Sequence, residues 1–385
     1  MPSYSGRIES KLPHVGTTIF TVMSRLAAEH NAINLSQGFP DFDCAPELRA
    51  LVTKYVNAGL NQYPPMAGVQ VLREAVAEKV EALYGTRYDV EHEVTIVPGA
   101  TYGIYTAVAA MVRPGDEVIL FEPAYDSYAP AVEVNGGVPV YVQLTYPDYA
   151  IPWQAVQQAI TPRTRMIVIN TPNNPTASVF SAEDLRMLEG MLAGTDVVIV
   201  SDEVYEHIVF DGHAHQSVAR FPGLAERSFL VSSFGKTYHV TGWKMGYVLA
   251  PRELTTEFRK VHQFNAFVTN APLQYAFAEH MKDREAYLGL AAFYQKKRDF
   301  FLGALDGSRF RPLPSRGTFF QNLCYDAVSD ERDTDLAVRL TRERGVASIP
   351  VSVFYREPPQ HKVLRFCFAK SETTLARGAE ILRRI

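Results

Sequence analysis

A lysine at the end of a predicted buried strand, Lys236, is the residue of this chain best placed for covalent chemistry. It follows the apolar run 229–231 and lies in SSFGKTYHVTGWKMGY (232–247). A lysine held at a strand end, among small hydroxyl and glycine neighbours, is placed to form an imine rather than to carry a surface charge. Most lysines are solvated surface groups, so Lys236 indicates a carbonyl cofactor only together with the residues described next.

A second candidate is Asp202, which ends the apolar run in VIVSDEVYEHIVF (198–210). Burying a carboxylate costs free energy unless the carboxylate pairs with a cation. The purely structural interpretation is that this cation is a nearby lysine or arginine. The cation could also be the ring nitrogen of pyridoxal phosphate, which an ionised Asp202 would keep protonated so that the ring accepts electrons. Tyr205 and Asn174 could hydrogen-bond the ring 3-hydroxyl, although NTPNNPTAS (170–178) is first of all typical of a turn.

The segment VPGATYGIY (97–105) predicts a strand, a glycine turn and the start of a helix. The backbone N–H groups of Ala100 and Thr101 would then be free at the positive end of that helix, where phosphate binds. The chain has no GxxxxGK sequence, so a nucleoside triphosphate is not indicated. Ser233 and Lys244, on either side of the strand-end lysine, could offer a hydroxyl and a charge to the same phosphate.

Aromatic and histidine side chains near these motifs have both chemical and structural interpretations. Tyr125, in FEPAYDSY (121–128), could cover a cofactor ring or could equally be a packed core aromatic. His207, His213 and His215 have some metal-like spacing, but they lack a companion carboxylate pattern and lie in a polar loop. We therefore predict no metal site.

The elements that must position these residues follow from an alternation of short apolar runs and helical stretches between residues 93 and 250. That rhythm predicts an α/β sheet rich in parallel strands and covered on both faces, with ligands at the carboxyl ends of its strands. Helices are predicted from residue 17 or 18 to about residue 30, and at 102–112 and 182–192. The seven predicted strands are 94–97, 118–121, 138–144, 166–169, 197–200, 229–231 and 246–249.

After about residue 275 the pattern changes to that of a separate α+β lobe. Strands are expected near 318–324, 346–349 and 363–368, with helices near 334–344 and at the C-terminus. The predicted fold class is therefore α/β, with a large domain built on a seven-stranded, mostly parallel sheet and a smaller α+β domain. The predicted division is 1–45 for an N-terminal arm and part of the small domain, 46–275 for the large domain and 276–385 for the small domain.

Composition excludes several classes of protein. With 385 residues, 47% hydrophobic residues and a net charge of −4, the chain is typical of a globular enzyme without a preference for polyanions such as nucleic acid. Cys44, Cys324 and Cys367 form no CxxC pair, which indicates neither disulfides nor a thiolate metal site and favours the cytoplasm. No signal peptide or membrane-spanning run is predicted.

Taken in order, the motifs resemble those of the class I aminotransferases of the pyridoxal-phosphate-dependent fold-type I family, over almost the whole chain. The resemblance is nearest to the methionine and kynurenine aminotransferase branch. The motifs that carry it are KLPHVGTTIFT (11–21), LSQGFPDF (35–42), NQYPPMAGVQVLREAV (61–76), NTPNNP (170–175), SDEVYEHI (201–208), SSFGKTYHVTGWKMGY (232–247) and LRFCFAK (364–370).

This resemblance implies a role for each candidate residue. Lys236 would be the Schiff-base lysine and proton shuttle, Asp202 would meet the pyridine nitrogen, and Tyr125 would stack on the ring. The 3-hydroxyl would be bound by Tyr205 and Asn174, the phosphate by Ala100, Thr101, Ser233 and Lys244, and the substrate carboxylate by Gly38, Asn174 and Arg365. Tyr63 would reach the phosphate of the neighbouring subunit, which implies a homodimer.

The chain departs from the family pattern at Lys244 in GWKMG, where arginine is usual. Lysine supplies the charge without the planar two-pronged grip of a guanidinium, so phosphate affinity could be lower or differently shared.

Three functions are compatible with these motifs. The leading one is an aminotransferase that moves the amino group of an amino acid to a 2-oxo acid. The second is a β-lyase acting on cysteine S-conjugates, which releases ammonia. The third is a ligand-sensing regulator, which would need a DNA-binding domain for which residues 1–34 are too few.

Substrate preference is predicted from the absence of a second arginine for a distal carboxylate. The stretch KVHQFNAFVTNAPLQ (260–274) offers Phe264 and Phe267 instead, and Phe20 and Phe39 lie in segments that the resemblance places near the substrate. We therefore expect an apolar side-chain pocket that accepts methionine and aromatic amino acids better than aspartate.

Overall fold

The computed structural model describes residues 2–385, in which helices and strands alternate along most of the chain. The helices are α1 Ile19–Glu29, α2 Pro46–Asn57, α3 Gln70–Tyr84, α4 Ala100–Met111, α5 Tyr128–Val134, α6 Trp153–Ala159, α7 Ala182–Leu192, α8 Pro222–Ala225, α9 Phe234–Thr237, α10 Arg252–Asn265, α11 Ala271–His280, α12 Glu285–Leu288, α13 Leu290–Ala304, α14 Asp333–Arg339 and α15 Glu372–Arg383. The strands are β1 Ile33–Asn34, β2 Val94–Val97, β3 Glu117–Glu122, β4 Val138–Gln143, β5 Thr164–Asn170, β6 Val198–Asp202, β7 Ser228–Ser233, β8 Gly246–Leu249, β9 Arg311–Pro312, β10 Phe320–Cys324, β11 Val346–Ala347, β12 Ile349–Pro350 and β13 Val363–Cys367.

Seven strands form the main sheet, in the order β2-β8-β7-β6-β5-β3-β4. Strands β4, β3, β5, β6 and β7 pair in parallel, whereas β8 pairs antiparallel with both β7 and β2. A parallel neighbour needs a long crossover, and the 234–245 connection before β8 contains only short helical turns, so β8 returns in the opposite direction.

Two hydrophobic clusters cover the two faces of this sheet. Successive residues of β5 alternate between them, with Met166 and Val168 in one cluster and Ile167 and Ile169 in the other. Helix α4 packs on the first face, and α3 and α7 supply buried residues to the second. Helix α7 begins at a capping box in which the side chains of Ser181 and Asp184 each accept the other residue's backbone N–H. The sheet is therefore buried on both sides, and its strand ends are left to form a site.

A third cluster joins the two ends of the chain. Met23 and Leu26 of α1 lie in one core with residues of α13, α14, α15, β10 and β13. Strand β1 pairs in parallel with β11, and β12-β13-β10-β9 form an antiparallel sheet. N-terminal residues thus pack with the C-terminal lobe, while the division at residues 45 and 275 stays a prediction.

The predicted fold class is confirmed, including the seven-stranded, mostly parallel sheet. The predicted strands agree with β2 to β8 to within a few residues, and the helix predicted at 182–192 is α7. No helix within residues 2–385 is both long and apolar enough to span a bilayer.

Candidate active site

A cavity of about 750 Å³, which includes its open mouth, lies at the carboxyl ends of β5, β6 and β7. Asn170, Asp202 and Ser233 each end one of these strands and line the cavity. The sequence-predicted residues that line it are Ala100, Thr101, Tyr125, Asn174, Asp202, Tyr205, Ser233, Lys236 and Lys244. Residues far apart in sequence meet here because parallel strands bring their carboxyl ends to one edge of the sheet.

Lys236 lies on the single-turn helix α9, directly after β7. Its Nζ donates to the carbonyl oxygen of Gly38 at 3.0 Å and lies 5.5 Å from the ring centre of Tyr205. Burial lowers the pKa of the Lys236 amine to about 8, although Cys367 opposes this shift. A large fraction of the amine is therefore neutral, and so nucleophilic, in mildly alkaline solution.

Asp202 is buried and has no lysine or arginine partner within ion-pair distance among residues 2–385. Instead, the Tyr128 hydroxyl donates to its Oδ2 at 2.5 Å and the Val204 N–H donates to its Oδ1 at 3.3 Å. Burial raises the pKa of the Asp202 carboxyl to about 6, against the lowering effects of Tyr128, Val204 and Lys236. A cation at this end of the cavity would favour the ionised form.

The N-terminus of α4 forms another part of the cavity wall. Gly99 precedes the helix with a φ of 92°, and the first intrahelical bond runs from the Gly103 N–H to the Gly99 carbonyl. The N–H groups of Ala100 and Thr101 therefore have no acceptor within the helix. Strand β8 can approach this end because residue 246 is glycine: a Cβ there would lie 3.2 Å from the Ala100 nitrogen and 2.6 Å from the Ser232 carbonyl oxygen of β7.

Lys244 places a charge beside this helix end. Its backbone is left-handed, with φ 53°, and its Nζ would lie 3.4 Å from a Cβ built on Gly99. Neither Lys244 nor the Ser233 hydroxyl forms a side-chain hydrogen bond or ion pair within the part of the chain that the structure describes. A positive charge, a hydroxyl and free N–H groups thus face one end of the cavity without an anion.

Three other predicted residues surround the middle of the cavity. The Tyr205 ring packs edge-on against Phe319, and its hydroxyl has no hydrogen-bond partner among residues 2–385. The Asn174 side-chain oxygen accepts a hydrogen bond from Arg365 at 2.5 Å. Burial raises the pKa of Tyr125 to about 12, so its hydroxyl stays protonated.

Arg365, on β13, is fully buried and forms no ion pair within the described chain. It donates to Asn174 and to the Ser36 carbonyl, its Nε has no partner, and its guanidinium lies 3.9 Å from the ring centre of Phe320. Burial lowers its pKa to about 10, which leaves the side chain charged at neutral pH. Phe20 and Phe354 also lie over this cation, at 5.3 and 5.5 Å.

Some predicted residues lie outside the cavity wall. Gly38 reaches the site through its carbonyl, and a Cβ on it would lie 2.8 Å from the Phe320 ring. Tyr63 is 82% exposed and packs edge-on against Phe267, which is itself 43% exposed. Phe264 and Phe39 are likewise exposed, so of the four phenylalanines considered for the substrate pocket only Phe20 lies beside Arg365.

Comparison with known proteins decides the family. The pattern of the family described as "Aminotransferase class I and II" matches residues 30–382. This chain belongs to that family. It is thus an aminotransferase, and the family it belongs to uses pyridoxal phosphate.

Individual relatives resemble this aminotransferase over nearly the full length of both chains. The methionine aminotransferase of Escherichia coli (strain K12) is 49% identical over 378 residues, covering 98% of each protein. The human kynurenine–oxoglutarate transaminase 1 is 33% identical over 398 residues, covering 94% of each. An Escherichia coli crystal structure described as having a methionine aminotransferase function superposes with a TM-score of 0.97, at 49% identity, over 98% of this chain and 100% of that one.

Sequence reasoning missed Tyr128 as a site residue of this aminotransferase. Tyr128 begins α5 in the quoted FEPAYDSY segment and lines the cavity, where its hydroxyl bonds Asp202. The sequence signal for Tyr128 was its position three residues after Tyr125. That position alone does not show which strand end the Tyr128 side chain would face. The segment could have suggested the contact only after the sheet order was known.

The interpretation of the histidine cluster was wrong in one respect. His215 is buried, the His207 side chain is largely covered, and both have carboxylate neighbours: His215 Nε2 lies 2.8 Å from Glu203, and His207 Nε2 lies 3.7 Å from Glu206. Within residues 2–385, no group of three or more His, Cys, Asp or Glu side chains is arranged to hold a metal ion.

Proposed function

We propose that this aminotransferase binds pyridoxal phosphate in the cavity and transfers the amino group of methionine or aromatic amino acids to a 2-oxo acid. The observation that carries the proposal is the pairing of a depressed-pKa lysine with a buried carboxylate that has no cationic partner, Lys236 and Asp202, in one cavity. Bound there, the cofactor would supply an aldehyde and a ring that takes up electrons from the substrate.

The residues at one end of the cavity fit a phosphate. Free N–H groups of Ala100 and Thr101 at a helix N-terminus favour an anion, and Lys244 and Ser233 add a charge and a hydroxyl without other partners. The residues at the strand end fit a pyridine ring. Asp202 can accept a hydrogen bond from a protonated ring nitrogen, while Tyr205 and Asn174 would bind a ring hydroxyl and Tyr125 would cover the ring.

The chemical step is assigned to Lys236. In its neutral form Nζ is the nucleophile that would hold the cofactor, and the same amine would move the proton from the α-carbon of the substrate. The Gly38 carbonyl, which accepts its hydrogen bond, keeps this amine beside the cavity. Asp202 stays ionised above about pH 6 and so can hold a proton on its partner throughout the neutral range.

The substrate carboxylate is assigned to Arg365, with Asn174 and Gly38 beside it. A buried guanidinium without an anionic partner is costly, and a carboxylate would supply the missing charge together with two acceptors. Asn174 lines the cavity and already bonds this guanidinium, which makes it the link between the two groups.

The preference for apolar side chains rests on the surroundings of Arg365. Phe20, Phe320 and Phe354 lie against its guanidinium, and the cations that line the cavity, Lys236 and Lys244, are already assigned to the cofactor. A second carboxylate on the substrate would lose its hydration without gaining a cation. The Escherichia coli relative named methionine aminotransferase supports the same preference.

The proposal includes a homodimer in the cytoplasm. Tyr63, with Phe264 and Phe267, presents exposed aromatic surface that a second copy would cover, and Tyr63 would reach the phosphate of that copy. The cysteines of this chain are all buried and unpaired, which suits a reducing compartment.

Donor specificity provides the test of the substrate assignment. With a fixed 2-oxo acid, kcat/KM should be at least about tenfold higher for methionine and phenylalanine than for aspartate, because burying an unpaired carboxylate costs more than about 1.4 kcal/mol. Assays should quantify both the new 2-oxo acid and ammonia. Aspartate equal to methionine would contradict the apolar pocket, and release of pyruvate and ammonia from a cysteine S-conjugate, which has a leaving group at its β carbon, would favour a β-lyase.

Lys244 provides a test of the phosphate end. Lys244→Ala should weaken pyridoxal phosphate binding by about 1.5–3 kcal/mol, the usual loss for a hydrogen bond to a charged group, whereas Lys244→Arg should retain the affinity. Dissociation constants from the visible absorption change on titration would measure this. Lys282, an exposed lysine away from the cavity, is the matched control for loss of charge. Wild-type affinity in Lys244→Ala would remove this residue from the site.

A further inference from the structure

A buried network centred on Glu206 lies beyond the cavity-lining residues. The Glu206 carboxylate accepts hydrogen bonds from Lys79 Nζ, the Ser232 hydroxyl and the Tyr247 hydroxyl, each at 2.7 Å, and from the Tyr84 hydroxyl at 2.6 Å. All five side chains are at most 8% exposed. None of them lines the cavity described above.

The carboxylate is ionised in spite of its burial. Burial by itself would raise the pKa of Glu206, but the charge of Lys79 and the hydrogen bonds from Lys79 and Tyr84 hold it well below its usual range. The pKa values of Tyr84 and Tyr247 are raised well above the usual value, chiefly by burial, so both hydroxyls remain donors. Four donors thus converge on one buried anion, and removing its charge would leave Lys79 unpaired.

Two of the four partners of Glu206 come from strands next to the cavity, and the other two, Lys79 and Tyr84, lie on α3. Glu206 itself follows β6 and is adjacent to Tyr205. Ser232 lies on β7 next to Ser233, and Tyr247 lies on β8 next to Gly246, the glycine that packs against the Ala100 N–H. Ser232 joins the network while Ser233 lines the cavity, as expected because neighbouring side chains of a strand point to opposite sides.

We propose that Glu206 is a positioning residue, which fixes the ends of β6, β7 and β8 relative to one another and thereby sets the spacing of the cofactor-binding groups. This inference rests on the proposed function of the cavity. The three strand ends present Tyr205, Ser233 and the α4 N-terminus to a single ligand. A carboxylate that follows β6 in the chain and bonds both β7 and β8 determines whether these groups reach the ligand together.

The neighbouring buried carboxylate, Glu203, is the matched control. It accepts hydrogen bonds from Ser201, His215 and the Val218 N–H, at 2.9, 2.8 and 3.1 Å. Glu203 is as buried as Glu206 and lies in the same segment, but its partners lie on β6 and the 215–218 loop. The Glu203 carboxylate is therefore equally buried but has no bond to β7 or β8, and the backbone N–H of Glu203, which bonds the Val231 carbonyl of β7, is unchanged by the substitution.

The experiment compares Glu206→Gln with Glu203→Gln in the full chain. Each protein is measured for its unfolding temperature without cofactor, for its pyridoxal phosphate dissociation constant, and for kcat and KM with methionine. Both variants should unfold at lower temperature than the wild type. Below those temperatures, Glu206→Gln should lose about ten- to a hundredfold in both cofactor affinity and kcat, since small misplacements of reacting groups cost up to about 10². Glu203→Gln should stay within about twofold of the wild type.

A second matched pair keeps the test decisive if the charge variants fail to fold. Ser232→Ala and Ser201→Ala each remove one buried hydroxyl that donates to a glutamate. Only Ser232→Ala should weaken pyridoxal phosphate binding, by about fivefold, as expected for one hydrogen bond of about 1 kcal/mol. Equal effects within a pair, or a lower unfolding temperature alone, would overturn the positioning role. A wild type that neither binds the cofactor nor transaminates would instead overturn the proposed function itself.

Discussion

Lys236→Ala will abolish transamination while the protein remains folded. The variant loses both the nucleophile that holds the cofactor and the base that moves the α-proton, and proton transfer alone contributes up to about 10⁴ in rate. Lys236 forms one hydrogen bond, to Gly38, and is partly open to the cavity, so the unfolding temperature should change little. The measurements are kcat with methionine and a 2-oxo acid, and thermal unfolding without cofactor.

Lys236→Arg is the control that separates charge from chemistry. Arginine keeps the positive charge but does not lose its proton at working pH, so it should be as inactive as alanine. In the wild type, the rate at which added pyridoxal phosphate is captured should rise with pH and be half-maximal near pH 8, because only the neutral amine reacts. Appreciable turnover by Lys236→Arg, or capture half-maximal near the usual lysine pKa of about 10.4, would contradict the role of this amine.

Asp202→Asn should retain cofactor binding but lose about 10² or more in kcat. The amide keeps the shape of the side chain, yet a neutral group no longer holds the ring nitrogen protonated, and each pKa unit of lost stabilisation of that proton is about 1.4 kcal/mol. The pyridoxal phosphate dissociation constant and kcat at pH 7 and 8 measure the two effects separately. Near-normal kcat would show that Asp202 only supports the structure.

The stability of the cofactor-free protein supplies a control for this variant. The folded-state pKa of Asp202 is raised to about 6, so the folded state binds a proton more tightly than the unfolded state, and stability falls as pH rises through about 6. Replacing the carboxylate with an amide removes this cost above pH 6. Asp202→Asn should therefore unfold at no lower temperature than the wild type at pH 7, which would separate the loss of activity from any loss of fold.

Much of the large domain could be predicted because its strands are short apolar runs bounded by turns. Lys236 and Asp202 were found as candidates because each directly follows such a run, and the carboxyl ends of parallel strands meet at one edge. The antiparallel direction of β8 did not follow from the apolar pattern, since direction depends on the connection before a strand. Pairing of β1 with β11 joins residues more than three hundred positions apart, which local patterns do not indicate.

Side-chain pairing was the part that the sequence could not supply. Tyr128, in the connection between β3 and β4, donates a hydrogen bond to Asp202 at the end of β6. Glu206 accepts hydrogen bonds from residues of α3, β7 and β8. Such contacts depend on sheet order and on which way each side chain faces, so they appear only after the fold is known. The carboxylate partner of His215 was overlooked for the same reason.

A half-reaction without any oxo-acid acceptor tests whether the protein transfers an amino group to pyridoxal phosphate bound at Lys236. Purified wild-type protein is saturated with pyridoxal phosphate, and methionine is then added while the visible spectrum and the released 2-oxo acid and ammonia are followed. We expect a visible absorption band on cofactor binding, its loss when methionine is added, and release of 2-oxo acid in an amount equal to the sites, without ammonia; Lys236→Ala should release none. Absence of a visible band in the wild type, or continued release of ammonia, would contradict it.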